Sequence, residues 1–150
     1  MSRYDRFRPV PKGGWKEEAV PGSGVLYDLG PHLIDQALVL FGLPETVSAD
    51  LAVQRPGVRA VDWVHLLLGF GRLRVVLQAG MLVRDPGPRF ELHGDRGSFV
   101  KHGLDGQEEA LRAGGRPGDP GWGSEPPERH GTLTGEVAGL IGQTIAGLVS

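Results

Sequence analysis

The chain has 150 residues, a formal net charge of -2 and no cysteine. This length suffices for one domain with a hydrophobic core and is short for two, so we expect a single domain over residues 1–150. The small charge favours neither nucleic acid nor an anionic membrane as a partner, and without cysteine there are no disulfides, thiolate metal sites or thiol nucleophiles. We therefore expect a cytoplasmic protein.

The first segment of the chain combines strand and loop features. Tyr4, Phe7 and Val10 lie among charged residues, with Pro9 and Pro11 nearby, which predicts a short edge strand followed by a loop over Lys12 to Ser23. The Gly22-Ser23-Gly24 sequence that ends this loop is typical of a flexible turn.

Residues Tyr27 to Phe41 carry the most regular pattern in the sequence. Their apolar side chains recur at spacings of three and four, and Gly42 with Pro44 supplies a stop signal, so we predict one long helix. Pro31 fits this prediction because proline is tolerated in the first turn of a helix.

The pattern then becomes typical of strands separated by turns rich in glycine and proline. The predicted strands are Thr46 to Gln54, Val61 to Gly69, Leu73 to Val83, Arg89 to His93 and Ser98 to Lys101. Because turns join consecutive strands, the fold class we predict is α+β, with a mostly antiparallel, open-faced sheet and one long helix packed on one side.

The remainder of the chain has weaker signals. Asp105 to Arg112 is compatible with one short helix, and Gly114 to Gly131 is a loop rich in glycine and proline. Leu133 to Val149 is apolar with small residues, and its periodicity does not distinguish strand from helix.

The two central predicted strands are apolar on both faces. The long helix can cover one face only, and little other material is predicted to cover the second. An apolar sheet face larger than a few hundred square ångströms normally marks an interface, so we expect a homodimer or higher oligomer that associates through the sheet face.

Three ionisable residues lie at the start of the predicted helix: Asp28, His32 and Asp35. In a continuous helix, spacings of four and three bring their side chains to neighbouring positions, where an imidazole beside carboxylates can relay a proton. An aspartate that caps the helix and a structural histidine are the alternative. A metal site is less favoured, because the sequence has no pair of histidines at the spacing of a zinc metalloprotease site and no glutamate placed as its base.

The loop before the helix offers two further candidate sites. Gly22-Ser23-Gly24 lacks the third glycine of a dinucleotide-binding loop, and the elements predicted after it form a meander rather than a strand-helix-strand unit, so an entry turn is the better interpretation. Trp15 with its neighbouring lysines, including Lys12, can present an aromatic face and a cation to a sugar, although a packed loop tryptophan is an equal alternative.

The run from Gly22 to Asp35, continued by Gln36-Ala37-Leu38 and the segment Leu40 to Pro44, resembles the C-terminal domain of the glucose-fructose oxidoreductase, inositol dehydrogenase and rhizopine catabolism (Gfo/Idh/MocA) oxidoreductase family. The resemblance extends over about three quarters of the chain, as far as Trp122. It includes further segments at Tyr4 to Pro9, Gly14-Trp15, Pro88 to Phe90, His93-Gly94, Arg96 to Ser98 and Lys101 to Glu108.

The resemblance implies an oxidoreductase that uses NAD or NADP to act on a hydroxyl of a sugar or polyol. It places the substrate-binding acid at Asp28, the catalytic histidine at His32 and a supporting residue at Asp35. The family's N-terminal Rossmann domain, its glycine-rich cofactor loop and its lysine in a Glu-Lys-Pro motif have no counterpart in this sequence, so we expect the chain alone to be inactive. Ser23 departs from the family, in which glycine is usual.

Two other functions stay open from the sequence. A non-catalytic oligomerisation or ligand-binding module could keep the same fold, but it would not need Asp28 and His32 together. An isolated metal-dependent lyase would need a bound ion and is the least favoured.

Overall fold

The computed structural model describes residues 1–104 and 106–135. The chain divides into two compact units, Met1–Gly87 and Pro88–Ser150. Each unit has its own strands and its own cluster of buried apolar residues.

The first unit is built on a mixed sheet of four strands. These are β1 (Ser2–Arg3), β2 (Thr46–Ala52), β3 (Trp63–Phe70) and β4 (Leu73–Gly80), in the order β2-β3-β4-β1. The pairs β2–β3 and β3–β4 are antiparallel, as predicted, whereas β1 runs parallel to β4.

This parallel pair corrects the prediction of a mostly antiparallel sheet. The amides of Tyr4, Arg6 and Arg8 donate to carbonyls of β4 and the residue after it, each at 2.8 Å, and so satisfy an edge that would otherwise be unpaired. A parallel pair needs a long crossover connection, which here includes the helices, β2 and β3. The predicted edge strand thus begins earlier and is shorter, with one isolated bridge between Phe7 and Leu82.

The predicted single long helix is also wrong, because the structure has two helices in its place. Helix α1 (Val25–Asp28) and helix α2 (Gly30–Phe41) are separated at Leu29, whose φ is -116°. Pro31 explains the break: it has no N–H to donate, and in a continuous helix its ring would clash with the carbonyl of Tyr27. Helix α2 ends as predicted, with Gly42 at a φ of 78° and its N–H donating to the Leu38 carbonyl at 2.8 Å.

Both helices of the first unit pack on one face of the sheet. The register pairs Val64 with Ala79, Leu66 with Leu77 and Leu68 with Val75, so even-numbered residues of β3 share the helix-covered face with odd-numbered residues of β4. The buried cluster consists of Val25, Leu29, Leu33, Ala37, Val64, Leu66, Leu68, Val75, Leu77, Ala79 and Met81.

The opposite face of this sheet is mixed in character. Leu67 pairs with Val76 and is exposed, while the neighbouring cross-strand pair is His65 and Gln78. Gln78 donates to Asp5 at 3.0 Å. The second apolar face predicted from the sequence is therefore interrupted by a polar row.

The described part of the second unit contains three antiparallel strands in the order β5-β6-β7: β5 (Phe90–His93), β6 (Gly97–Lys101) and β7 (Thr132–Gly135). Helix α3 (Gln107–Arg112) matches the predicted short helix, although Asp105 lies outside the described residues. The predicted loop 114–131 includes a short 3-10 turn, Pro127–Arg129. The predicted tail element lies outside the described residues from 136 onward.

Of the helices that the structure describes, none has the length and apolar character that a crossing of a bilayer requires.

Candidate active site

A cleft of about 270 Å³ opens on the first unit, beside the start of α1. Its apolar wall includes the buried side chains of Val25, Val58 and Met81, and its polar rim includes Lys12 and Trp15. A concave site with an apolar wall and a few convergent polar groups is the usual form of a small-molecule site.

The loop that forms one side of the cleft is held in place by Glu17. Its carboxylate accepts from the Gly13 amide at 2.7 Å and pairs with Nη1 of Arg55 at 3.0 Å. Its carbonyl accepts from the amides of Arg59 and Ala60, at 2.9 Å and 3.2 Å. The contacts with Arg55, Arg59 and Ala60 fix the loop against the connection between β2 and β3, and the Gly13 contact closes the loop on itself, so the rim of the cleft is organised before a ligand binds.

Arg55, which lines the same cleft, is anchored by the buried carboxylate of Asp62. Asp62 accepts from Nε of Arg55 at 2.9 Å and from the amides of Gln54 and Arg55 at 2.6 Å and 3.1 Å. The same guanidinium donates to the Arg8 carbonyl at 3.1 Å. Arg55 was not among the site residues predicted from the sequence; the acidic Asp62 inside an apolar run was the signal for a buried cationic partner.

Gly24 sets the position at which α1 begins. Its φ of 83° and ψ of 171° lie in a region open essentially only to glycine, and a Cβ there would lie 2.7 Å from the Val61 carbonyl oxygen. That oxygen accepts from the Val25 amide at 2.7 Å. Position 23, where serine departs from the family pattern, does not require glycine. Ser23 does not have a positive φ, because every described residue with a positive φ is a glycine.

Asp28 lines the cleft as the last residue of α1. Nζ of Lys16 lies 2.5 Å from its Oδ1, and Nη1 of Arg6 lies 4.0 Å from its Oδ2. The Asp28 side chain is 29% exposed, so its carboxylate is accessible from solvent while it is held by Lys16.

His32 lies in the first turn of α2 and is exposed to solvent, rather than sealed in the apolar core. Because the helix breaks at Leu29, the continuous-helix spacing assumed for Asp28 and His32 does not apply. Across residues 1–104 and 106–135, no hydrogen bond joins His32 to Asp28 or Asp35. His32 and the exposed Asp35 are not among the residues that line the cleft.

The structure therefore brings together three of the predicted site residues: Lys12, Trp15 and Asp28. Trp15 is 59% exposed, and Nζ of Lys16 lies 5.9 Å from its ring centroid. An exposed aromatic face at the rim of a cleft suits contact with a sugar ring. In the described part of the chain, no group of three or more histidine, aspartate or glutamate side chains is placed to hold a metal ion.

Comparison with known proteins gives consistent matches. The family described as "Oxidoreductase family, C-terminal alpha/beta domain" matches residues 1–147. The chain is 47% identical over 131 residues to the scyllo-inositol 2-dehydrogenase (NADP(+)) IolW of Bacillus subtilis, covering 87% of this chain and 37% of that protein. It is also 47% identical over 133 residues to the uncharacterized oxidoreductase YdgJ of Escherichia coli, covering 89% and 38%.

Solved structures show the same relationship. The Bacillus subtilis protein yvaA superposes with a TM-score of 0.80 at 46% identity, covering 89% of this chain and 38% of that one. The Yersinia pestis protein YPO2259 superposes with a TM-score of 0.78 at 43% identity, covering 91% and 38%.

The chain thus spans well under half the length of the relatives that it matches. The family match extends beyond Trp122, where the resemblance in the sequence was weak. With the family match over nearly the whole sequence and the agreement in fold, the chain belongs to the Gfo/Idh/MocA oxidoreductase family, as its C-terminal alpha/beta domain.

Proposed function

We propose that this chain is the substrate-side part of an NAD(P)-dependent oxidoreductase that acts on a hydroxyl of a sugar or polyol. The observation that carries the proposal is the cleft in which Asp28, Trp15 and Lys12 converge on an apolar wall. The 47% identity to a protein named as a scyllo-inositol dehydrogenase supports a polyhydroxylated substrate. We further propose that the complete enzyme is cytoplasmic and homo-oligomeric.

Asp28 has the role of orienting the substrate in this proposal. A carboxylate accepts hydrogen bonds from substrate hydroxyls, and Lys16 and Arg6 fix the direction in which Asp28 presents its oxygens. Trp15 contributes the face that contacts the sugar ring. This division leaves the proton of the reacting hydroxyl to a different residue.

His32 has that second role. Imidazole exchanges protons near neutral pH, and an exposed histidine in the first turn of α2 is free to take the hydroxyl proton as the carbon gives up its hydride. Because His32 does not line the cleft, its imidazole must reach the substrate beyond the cleft edge or after a change of side-chain rotamer.

The described residues of this chain do not fit a nicotinamide dinucleotide site. The glycines at positions 22 and 24 precede the four-residue helix α1, and no strand leads into them as a dinucleotide-binding loop requires. When bound, NAD or NADP supplies the acceptor for the hydride. We place that cofactor on an N-terminal Rossmann domain outside this chain, and we therefore expect the chain alone to be inactive.

The second candidate is a non-catalytic ligand-binding or oligomerisation module. The Lys16 contact with Asp28 favours it, because an acid held by a lysine at 2.5 Å can be purely structural.

Turnover by a complete protein that carries this chain distinguishes the two candidates. The protein is mixed with NAD or NADP and a panel of sugars and polyols, and absorbance of the reduced nicotinamide is followed. We expect reduction with at least one polyhydroxylated substrate, and none by the 150-residue chain alone. A complete protein that binds panel members without reducing either cofactor would favour the non-catalytic module.

A further inference from the structure

The charges that line the cleft do not balance. The lining includes the cations Arg8, Lys12, Lys16 and Arg55 and the anions Glu17 and Asp28. Arg55 pairs with Glu17 and Asp62, and Lys16 pairs with Asp28. Both anions of the cleft are therefore engaged by two of its cations.

Arg8 and Lys12 are the two cations that this pairing leaves over. Both are exposed, and the described part of the chain places no carboxylate in an ion pair with either side chain. The backbone around them is ordered: Arg55 donates to the Arg8 carbonyl, and Gly13, next to Lys12, donates to Glu17. Two uncompensated positive charges thus lie on a fixed rim, above an apolar wall.

We propose that this cleft binds a sugar or polyol derivative that carries a carboxylate or a phosphate, with Arg8 and Lys12 contacting the anionic group. The sugar part of this inference rests on the proposed function, and the anionic part rests on the charges alone. A guanidinium binds a carboxylate or phosphate through two parallel hydrogen bonds, and an ammonium adds a point charge.

A neutral polyol fits these charges less well. It would fill the cleft without compensating Arg8 or Lys12, and the field of two like charges beside low-dielectric walls concentrates anions instead. Trp15, on the same rim, is available to the sugar ring while the cations hold its charged substituent. The arrangement therefore discriminates by charge at one end of the ligand and by shape at the other.

Calorimetric titration of the 150-residue chain at low ionic strength tests this inference. The probes are gluconate, glucose 6-phosphate, glucose, inorganic phosphate and NADP. We expect one or both charged sugars to bind at least about tenfold more tightly than glucose and than inorganic phosphate, and to weaken as salt is added. A preference between gluconate and glucose 6-phosphate identifies the anionic group.

Variants locate the binding site. Arg8→Gln and Lys12→Gln should each lower the affinity for the charged sugar about threefold to tenfold, a larger loss than either variant causes for glucose. Arg72→Gln is the matched control, because this exposed residue lies in the turn between β3 and β4, outside the cleft lining, and loses the same charge. Circular dichroism of each variant confirms that it is folded.

Four results of these titrations would overturn the inference. Glucose could bind as tightly as the charged sugars, or Arg72→Gln could lose as much affinity as the other two variants. Inorganic phosphate could bind as tightly as the charged sugars, or NADP could bind more tightly than they do with the same dependence on Arg8 and Lys12. Failure of the inference is distinguishable from failure of the proposed function. If the complete enzyme oxidises only neutral polyols, this inference is contradicted and the proposed function is not. If the complete protein binds charged sugars but has no dehydrogenase activity, the proposed function is contradicted and this inference is not.

Discussion

Arg55 is a buried arginine whose guanidinium joins three segments of the chain. It contacts Asp62 immediately before β3, Glu17 in the loop that forms one side of the cleft, and the Arg8 carbonyl in the first segment. Removing one partner of a buried ion pair leaves an uncompensated charge, which costs about 3 to 5 kcal/mol. We therefore expect Arg55→Met to lower the free energy of unfolding by about 3 kcal/mol in urea titration, through the charge left on Asp62.

Arg59→Met is the control for this prediction. Arg59 pairs with Glu18 at 3.0 Å, but both side chains are largely exposed, and pairs of that kind contribute about 0 to 1 kcal/mol. Similar losses of stability for the two variants would show that burial does not set the importance of Arg55.

At the scale of elements, Gly24 is the glycine on which the start of α1 depends. Gly24→Ala places a Cβ against the Val61 carbonyl in a backbone conformation that is essentially restricted to glycine, so we expect a loss of about 3 kcal/mol in the free energy of unfolding. Gly22 has a φ of +80°, but a Cβ there would lie in open space. We therefore expect Gly22→Ala to lower the free energy of unfolding by about 1 kcal/mol. Thermal or urea unfolding of both variants measures the difference. Equal losses of stability would show that the contact with Val61 is not the reason for the cost at Gly24.

Elements whose signal is local were predictable from the sequence. The strands β2 to β6 and the C-terminal end of α2 follow from alternation, turn residues and Gly42, and the structure confirms them within a few residues. The break at Leu29 was missed because the apolar spacing continues through Pro31 and concealed its effect on the preceding turn. The parallel pairing of β1 with β4 depends on contacts between residues more than 70 positions apart, which local pattern does not encode.

The candidate site was predictable to a similar extent. Lys12, Trp15 and Asp28 were identified from residue type, and the structure gathers them in one cleft. Glu17, Arg55 and Asp62 were missed. Glu17 and Arg55 pair across segments that are distant in sequence, whereas Arg55 and Asp62 pair within the connection between β2 and β3, whose shape local pattern does not predict. The predicted contact of His32 with Asp28 assumed a continuous helix, and the helix break removes that assumption.

At the scale of the whole molecule, association through the open face of the first unit's sheet stays a prediction. Leu67 lies on that face and is 38% exposed, beside Val76. We expect Leu67→Lys to shift the mass measured by light scattering toward the monomer, because a buried interfacial ammonium is costly. Val47→Lys is the control, since Val47 is 63% exposed on the helix-covered face, in register with Leu68. A mass that is monomeric before any substitution would contradict the predicted association.

Measuring turnover by a His32→Ala variant is the most direct test of the proposed oxidoreductase function. In a complete enzyme that carries this chain, His32→Ala removes the proposed proton acceptor, and we expect kcat to fall about a hundredfold to ten-thousandfold. The stability should change by less than about 1 kcal/mol, because the residue is exposed. His102→Ala, which removes another exposed histidine, should leave kcat within a few-fold of the parent. A His32→Ala enzyme that also stays within a few-fold of the parent would contradict the proposed role of this residue.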